Sequence, residues 1–461
     1  MMPRRLFGTD GVRGVLMERL TPELAQQLGR AIGAYFGKGA RILVGRDVRA
    51  GGYMLKSAVI SGLLAEGVKV YDADLIPTPG LQFNVKTGPY DGGVMITASH
   101  NPPEYNGIKV IGADGIEIPH EDEEVIEEYF FKGHASKLPW RSYTYDPIIK
   151  HEAIENYIKG ILDQVDVDLI KGAGFRVVID CANSVGALVT PRLLSRLGVK
   201  YVSVNCNLDP LFPGRPPEPS PDTLKVAAAV LRETKADLLV GHDGDADRAI
   251  VGDDRGRILW GDRDGTLLSA FAAEVWSELP RRVYTGVSSS ILVEDFLRPR
   301  GIEVVWTPVG SVTISRMIVK DGGAISGFEE NGGYMHTPHQ IVRDGPMKTA
   351  LLLFMLATLK KRMSELVDEL PTYYPIKEKL PATREQAQCA VEKVKEHFAN
   401  FRQVTIDGVK VLGEGFWVLV RPSGTEPVVR IMLEARDPEE AERLLNEVKS
   451  IISPCLGGEQ G

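Results

Sequence analysis

A segment near the middle of the chain carries three carboxylates at alternate positions, Asp243, Asp245 and Asp247. Side chains that alternate along an extended segment lie on one side of it, so we expect these carboxylates to be close together. Like charges at that spacing are unfavourable unless a cation joins them, and a set of oxygen ligands suits Mg²⁺, Mn²⁺ or Ca²⁺. An EF-hand would have glycine and glutamate where Arg248 and Asp254 stand. The pattern favours a Mg²⁺ site, with a solvated acidic turn as the alternative.

A second segment, residues 97–109, combines a serine, a histidine and a lysine. His100 follows Ser99 directly, and Lys109 lies further along the same segment. These residue types could form an activated nucleophile with a partner for proton transfer. The chain contains no Gly-x-Ser-x-Gly elbow, which disfavours an α/β-hydrolase. The alternative is that Ser-His-Asn-Pro is only a turn.

A third segment near the C-terminus has the composition of an anion site. Arg421 supplies a planar fork of donors, Ser423 and Thr425 supply hydroxyls, and Gly424 allows backbone N–H groups to approach a phosphate. Arg430, on the strand that follows, could add a second guanidinium. The chain has neither a P-loop nor a dinucleotide-binding fingerprint. We therefore expect a small phosphoester here and not a nucleotide.

Two weaker signals complete the set of candidate loops. Glu329 and Asn331 stand among three glycines in residues 327–333, and a carboxylate with an amide on open backbone suits recognition of hydroxyl groups. Arg13 stands between glycines near the N-terminus, where a flexible start of the chain is an equally good interpretation.

The elements that must position these loops form a repeated pattern. Each copy has an apolar strand, a helical stretch, a glycine and a second strand, as in a right-handed βαβ crossover. A third apolar strand then enters a candidate loop. The predicted strands are 42–45, 67–71 and 93–96, then 177–180, 198–202 and 237–240, then 283–286, 301–305 and 323–326. Because ligands of open α/β sheets bind outside the carboxyl ends of strands, we expect the three loops to converge on one cleft.

After about residue 369 the pattern changes to a smaller α+β domain, with predicted helices at 384–399 and 438–452. Two late strands flank the Arg421 segment. The predicted domains are 1–152 with the serine loop, 153–255 with the carboxylate loop, 256–368 with the Glu329 loop and 369–461 with the Arg421 loop.

Composition restricts the partners and the compartment. The 461 residues include 54 Lys and Arg against 62 Asp and Glu, and the resulting net charge of −8 disfavours a nucleic-acid partner. The longest apolar stretch, 350–359, is shorter than the ~18 residues that a membrane span needs, and no signal peptide is evident. The four cysteines are far apart in sequence, which predicts a reduced cytoplasmic protein without disulfides or a zinc site. The sequence is silent on oligomeric state.

In combination, these motifs closely resemble those of the α-D-phosphohexomutase family. The similarity covers essentially the whole chain, and the four loops, 97–109, 243–248, 329–333 and 421–430, occur in the family order. The resemblance implies three similar α/β domains followed by a smaller α+β C-terminal domain around a central cleft. It also implies residue roles. Ser99 would carry a phosphoryl group, and Mg²⁺ would bind Asp243, Asp245, Asp247 and a phosphate oxygen on Ser99.

The remaining roles follow from the same resemblance. Three cations match positions near the reacting phosphate, Arg13, Lys109 and Arg248, and Lys109 or His100 would assist proton transfer. Glu329 and Asn331 match the loop that binds sugar hydroxyls. The loop that holds the non-reacting phosphate is matched by Arg421, Ser423, Gly424, Thr425 and Arg430.

The implied reaction is reversible phosphoryl transfer between the 1- and 6-positions of a hexose phosphate, as in a phosphomannomutase/phosphoglucomutase. Hexose 1,6-bisphosphate would be its intermediate and activator. Phosphoglucosamine mutase is the alternative within the family, and a Mg²⁺-dependent sugar-phosphate phosphatase or a non-catalytic sensor are alternatives outside it. Ser311 stands where many members carry His or Asp, which leaves the proton-transfer partner open. Asn331 and Gly333 favour the archaeal type, because bacterial relatives often have Ser and His there.

Overall fold

The computed structural model describes residues 6–8, 10–143, 146–423 and 427–457. In these residues, four β-sheets follow one another along the chain. The first has the strand order β1-β5-β4-β2-β3-β6. Its strands are β1 (Val12–Val15), β2 (Arg41–Arg46), β3 (Lys69–Leu75), β4 (Gly92–Ile96), β5 (Tyr105–Gly112) and β6 (Ile148–Ile149). Its helices are α1 (Pro22–Phe36), α2 (Gly52–Ala65), α3 (Thr78–Thr87) and α4 (His120–Phe131).

The second and third sheets have the orders β11-β10-β9-β7-β8 and β13-β12-β14-β15. The second comprises α5 (Ala153–Leu162), α6 (Val167–Ala173), β7 (Arg176–Asp180), α7 (Gly186–Arg196), β8 (Lys200–Val204), α8 (Lys225–Thr234), β9 (Leu238–His242), β10 (Ala249–Gly252) and β11 (Ile258–Leu259). The third comprises α9 (Gly261–Val275), β12 (Arg282–Gly286), α10 (Leu292–Leu297), β13 (Glu303–Thr307), α11 (Ser311–Lys320), β14 (Ser326–Phe328), β15 (Tyr334–His336), α12 (Gly345–Leu359) and α13 (Met363–Val367).

These three sheets share one topology. In each, three parallel strands have the spatial order third, first, second, and an antiparallel strand pairs with the third. The middle of β2 is apolar because helices cover both faces of a parallel sheet; Ile42, Leu43 and Val44 have no exposed surface. The predicted repeat of α/β units is confirmed.

The fourth sheet is antiparallel, with the order β16-β20-β19-β18-β17. Its elements are β16 (Tyr374–Pro381), α14 (Arg384–His397), β17 (Arg402–Val404), β18 (Val409–Gly413), β19 (Phe416–Pro422), β20 (Val428–Ala435) and α15 (Pro438–Ile452). A capping box of Thr383 and Gln386 begins α14, and the Asp437 side chain accepts from Glu440 N at the start of α15. The predicted α+β domain is confirmed.

The apolar stretch 350–359 belongs to a core helix. Most of α12 is buried in a hydrophobic cluster that spans the second and third sheets and includes Trp417 of the fourth. Among the described residues, no helix is both long and apolar enough to cross a membrane.

The prediction of a protein without disulfides is wrong. Cys181 is bonded to Cys206, with a Cα–Cα distance of 4.8 Å, and Cys389 to Cys455, at 5.7 Å. The first pair follows the parallel neighbours β7 and β8, and the second joins α14 to the end of the chain beyond α15. Cysteines distant in sequence thus meet through the sheet and helix packing, which spacing alone does not reveal.

A buried ammonium group lies between the third and fourth sheets. Lys410 Nζ donates to Ser289 O and lies 3.6 Å from the ring centroid of Trp306 and 4.2 Å from that of Trp417. Burial lowers the pKa of Lys410 to about 7, although the carboxylate of Glu434 opposes this shift. Keeping Lys410 protonated at the contact between these two sheets therefore costs free energy.

We predict that this lysine makes stability depend on pH. Its pKa is about 10.4 in an unfolded chain, so between pH 7 and pH 10 the unfolded state holds a proton that the folded state does not. The free energy of unfolding should therefore rise with pH over this range, by up to about 1.4 kcal/mol per pH unit. The Lys410→Met variant should lose that rise, which thermal midpoints across this pH range would show. Lys393→Met, at an exposed lysine of α14, is the control; parallel curves for wild type and Lys410→Met would contradict the prediction.

Candidate active site

The serine loop begins where β4 ends. Ser99 is fully buried and has a positive φ of 50°, an uncommon conformation for a residue other than glycine. Thr97 supports it, because the Thr97 hydroxyl accepts from Ser99 N at 2.9 Å and donates to Asp47 Oδ2 at 2.6 Å. The structure thus holds the serine in one unusual conformation.

Arg49 determines the course of this loop, and the sequence analysis missed it. Its Nη2 donates to the carbonyl oxygens of Ser99 and Asn101, both at 2.6 Å, and its Nη1 to those of Pro102 at 2.7 Å and Tyr105 at 3.0 Å. The Arg49 side chain has no exposed surface and pairs with Asp47 at 3.2 Å. An Asp-x-Arg at the carboxyl end of β2 was the available signal, since that sheet edge carries the loops.

The carboxylate loop is a tight turn and not the extended segment that the sequence analysis predicted. Ala246 has φ 59°, and this left-handed turn brings the carboxylate oxygens of Asp243, Asp245 and Asp247 within 4.8 Å of one another. A Cβ on Gly244 would lie 2.3 Å from Ser99 O, so only glycine lets the turn approach the serine loop this closely. The residues expected to cluster do so, by a different backbone path.

The turn fits a hard divalent cation. The three carboxylates are at most 3% exposed, and the Oδ1 atoms of Asp245 and Asp247 are buried without a hydrogen-bond partner in the described structure. Burial and the neighbouring carboxylates raise the pKa of Asp243 well above its usual range. Carboxylate oxygens without other partners are ligands of the kind that Mg²⁺ and Mn²⁺ prefer. Ser99 Oγ donates to Asp243 Oδ2 at 2.9 Å, which places the serine beside the set.

Lys109 is a buried positive charge beside this turn. Its Nζ lies 3.3 Å from both Asp10 Oδ2 and Glu117 Oε1 and 3.7 Å from Asp245 Oδ2. Burial alone would lower the pKa of Lys109, but these carboxylates, Asp10 foremost, raise it above its ordinary value. These carboxylates therefore favour the protonated form of Lys109.

His100 lies beside Ser99 among positively charged side chains. Its Nδ1 lies 3.4 Å from Ser99 Oγ, but the charge of Arg248, together with burial and Arg13, lowers the pKa of His100 to about 2. These neighbours favour the neutral form of the imidazole. Arg13 donates to Asn101 Oδ1 at 2.7 Å, so it too lies at the serine loop.

The carboxylate loop and the Glu329 loop are in direct contact. Arg248 forms an antiparallel bridge with Gly333, and its Nε lies 3.8 Å from Asp247 Oδ1. Asn331 Oδ1 accepts from Gly333 N at 3.1 Å, so this side chain shapes the loop that it belongs to. The predicted residues Arg248, Glu329 and Asn331 thus lie at one junction between the second and third sheets.

Arg343, which the sequence analysis also missed, joins these groups. Its guanidinium donates to Asp247 Oδ2 at 2.5 Å and to Glu329 Oε2 at 3.2 Å, and Nη2 lies 3.8 Å from Asp10 Oδ2. It is therefore in contact with all three α/β units. It precedes the Asp344 N-cap of α12, but nothing in its sequence surroundings indicates a partner 96 residues away.

The Arg421 loop lies in the fourth sheet. Arg421 forms an ion pair with Asp407, and Arg430 Nη2 lies 3.5 Å from Ser423 Oγ. Gly424 and Thr425 lie outside the described residues. The loop is joined to the third sheet through Asp407, which accepts from Val309 N. The serine, carboxylate and Glu329 loops therefore form one cluster, and the Arg421 loop is linked to the same third unit through Asp407.

Comparisons with known proteins agree with this architecture. Models of the phosphoglucomutase/phosphomannomutase α/β/α domains I, II and III match residues 4–137, 155–256 and 260–374, and the model of the C-terminal domain matches 378–451. A phosphoglucomutase/phosphomannomutase family protein from Burkholderia thailandensis has a similar structure, with a TM-score of 0.87 and 26% identity over 99% of this chain and 98% of that one.

Two relatives are similar over nearly their whole lengths. A phosphoglucosamine/phosphogalactosamine mutase from Sulfurisphaera tokodaii is 51% identical over 97% of this chain and 99% of its own. A phosphoglucomutase/phosphomannomutase from Thermococcus kodakarensis is 40% identical over 98% of this chain and 100% of its own. The chain belongs to the α-D-phosphohexomutase family, as predicted, and is an isomerase. The relatives carry different sugar names, so the family defines the reaction class and not the sugar.

We predict that Arg49→Lys lowers kcat about 100-fold, the cost of a reacting group misplaced by about 1 Å. Lysine keeps the charge beside Asp47 but cannot hold the four carbonyl oxygens in one plane. Mutase turnover on glucose 1-phosphate and the thermal midpoint would be measured together. Arg41→Lys, at the other end of β2, is the matched control. Equal turnover of the two variants would show that Arg49 does not position Ser99.

Proposed function

We propose that the protein moves a phosphoryl group between the 1- and 6-positions of hexose phosphates through a phosphorylated Ser99. The observation that carries this proposal is the contact of Ser99 Oγ with Asp243, at 2.9 Å, inside a buried cluster of carboxylates and cations. A hydrolase reaction through the same groups would need a water in place of the sugar hydroxyl. Burial of Ser99 and of the metal turn favours transfer to a bound sugar instead.

The reaction has two transfers that mirror each other. In the first, the bond between phosphorus and Ser99 Oγ breaks, a bond forms from phosphorus to the free sugar hydroxyl, and the hydroxyl proton ends on Ser99 Oγ. The product is a hexose 1,6-bisphosphate. After the sugar turns around, Ser99 Oγ takes the other phosphoryl group and its proton passes to the sugar oxygen. No phosphate is consumed, so the net change is an isomerisation.

The chain's own residues position the groups and offset charge. Arg13, Lys109 and Arg248 supply positive charge near Ser99, and Arg343 orients Asp247 and Glu329. Mg²⁺ bound by Asp243, Asp245 and Asp247 would stabilise the negative charge of the phosphoryl oxygens. Glu329 and Asn331 would contact the sugar, and the Arg421 loop would hold the phosphate that does not react.

The proposal also concerns which hexose phosphate the protein prefers. Phosphomannomutase/phosphoglucomutase activity is our first candidate, and the 40% identical relative supports it. The 51% identical relative favours a second candidate, phosphoglucosamine mutase. Comparing kcat/KM on glucose, mannose and glucosamine phosphates decides between them. A preference of tenfold or more, equal to about 1.4 kcal/mol, for the amino sugar would select the second.

We predict that Ser99→Ala abolishes both phosphorylation and mutase turnover, because alanine has no oxygen to hold the phosphoryl group. Intact-protein mass would be measured before and after incubation with glucose 1,6-bisphosphate. The wild type and the control Ser57→Ala, at an exposed serine of α2, should gain one phosphoryl group. A Ser99→Ala protein that still gains this mass, or still isomerises, would exclude Ser99 as the carrier.

We predict that Asp245→Asn weakens Mg²⁺ binding at least about tenfold, since even residues that only support metal ligands cost 10- to 100-fold when changed. Calorimetry with Mg²⁺ and with Mn²⁺ measures binding directly, independently of turnover. Asp222→Asn, which removes an exposed carboxylate of the second unit, is the matched control. Unchanged affinity in Asp245→Asn would place the metal elsewhere.

A further inference from the structure

Asp407 forms a fork with the arginine of the candidate phosphate loop. It lies in the loop between β17 and β18, where its Oδ1 accepts from Arg421 Nε at 3.1 Å and its Oδ2 lies 2.9 Å from Arg421 Nη2. The two side chains are 20% and 18% exposed, so the pair is partly shielded from water yet reachable by a ligand. A bidentate fork fixes the plane of a guanidinium, which a single contact does not.

The backbone next to Asp407 is shaped for this contact. Gly408 has φ +74°, and a Cβ added there would lie 2.3 Å from Val420 O and 2.6 Å from the Arg421 Cβ. A side chain at residue 408 would push the loop away from β19. Glycine therefore allows the loop to pack against Arg421 and holds the Asp407 carboxylate beside the guanidinium.

The fork leaves part of the guanidinium for a second anion. Asp407 occupies the edge formed by Nε and Nη2, whereas arginine has five N–H donors, and the Nη1 hydrogens lie outside this edge. Arg430 is the cross-strand partner of Arg421, so the two arginines are directly paired residues of β19 and β20. Like charges at opposed positions are destabilising, and the Asp407 carboxylate offsets this repulsion.

The same carboxylate reaches the third unit. Asp407 Oδ2 accepts from Val309 N at 3.2 Å, in the segment between β13 and α11. One side chain therefore contacts both the arginine of the fourth sheet and the backbone of the third. Because each carboxylate oxygen can accept more than one hydrogen bond, the two contacts are compatible.

We propose that Asp407 is a positioning residue that orients Arg421 for the non-reacting phosphate and joins the phosphate loop to the 307–310 segment of the third unit. This inference rests on the proposed function, since it takes the ligand of Arg421 to be the phosphate of a hexose phosphate. Asp407 acts through Arg421 and does not touch the substrate.

The test is a double-mutant cycle on binding of glucose 6-phosphate, measured by calorimetry with the full-length protein. Asp407→Ala should raise the dissociation constant about tenfold, since it removes hydrogen bonds between charged groups. KM should rise with kcat nearly unchanged, the pattern of lost uniform binding. In the Arg421→Met background, Asp407→Ala should have no further effect. Glu442→Gln, at an exposed acid of α15, is the control for loss of one negative charge in the same domain.

Asp407→Asn provides a second variant that keeps the size of the side chain and an acceptor for Val309 N. It should fold as the wild type does, by thermal midpoint, and show an intermediate loss of affinity. Unchanged or tighter binding in both Asp407 variants, with weaker binding in Arg421→Met, would overturn the positioning role alone. A wild type that binds no glucose 6-phosphate, or binding that Arg421→Met leaves intact, would overturn the proposed phosphate site and this inference with it.

Discussion

The contact of Arg343 with Asp247 and Glu329 is the interaction on which the site depends. Three carboxylates in one turn repel one another, and Asp10, Glu117 and Glu329 add further negative charge around them. Burial strengthens this repulsion because little water remains to screen it. Arg343 and Lys109 offset it from two different units, so the site can form only when the units are packed together. The same ion pairs therefore offset the negative charge of the site and hold the units together.

On the proposed function, local charge rather than the net charge of the chain would govern how an anionic ligand is bound. The net charge of −8 describes the whole surface, whereas a phosphorylated sugar would meet the field inside a cleft. Arg13, Lys109 and Arg248 gather near Ser99, and Arg421 and Arg430 start from adjacent strands of the fourth sheet. Paired carboxylates hold several of these cations in place, as Asp407 does for Arg421.

The fold could be predicted because buried parallel strands are apolar runs that recur with helices between them. The predictions from sequence were wrong where one residue pattern is compatible with more than one backbone conformation. Alternating carboxylates suggested an extended segment, but a left-handed Ala246 gives the same clustering in a turn. The strand predicted at 323–326 is β14 at Ser326–Phe328. Arg49, Arg343 and both disulfides were missed because their partners are far away in sequence, and single residues carry no periodicity.

The shared topology of the first three units has a consequence for how such a molecule can change. Each unit presents its loop from the same place, after the third strand of an otherwise equivalent sheet. The serine loop, the carboxylate loop and the Glu329 loop are therefore carried by three separate sheets of the same topology. The backbone hydrogen bonds of each sheet are separate from those of the other two. On the proposed function, sugar preference would depend on residues of the third unit, whereas phosphoryl transfer and Mg²⁺ binding would depend on residues of the first and second.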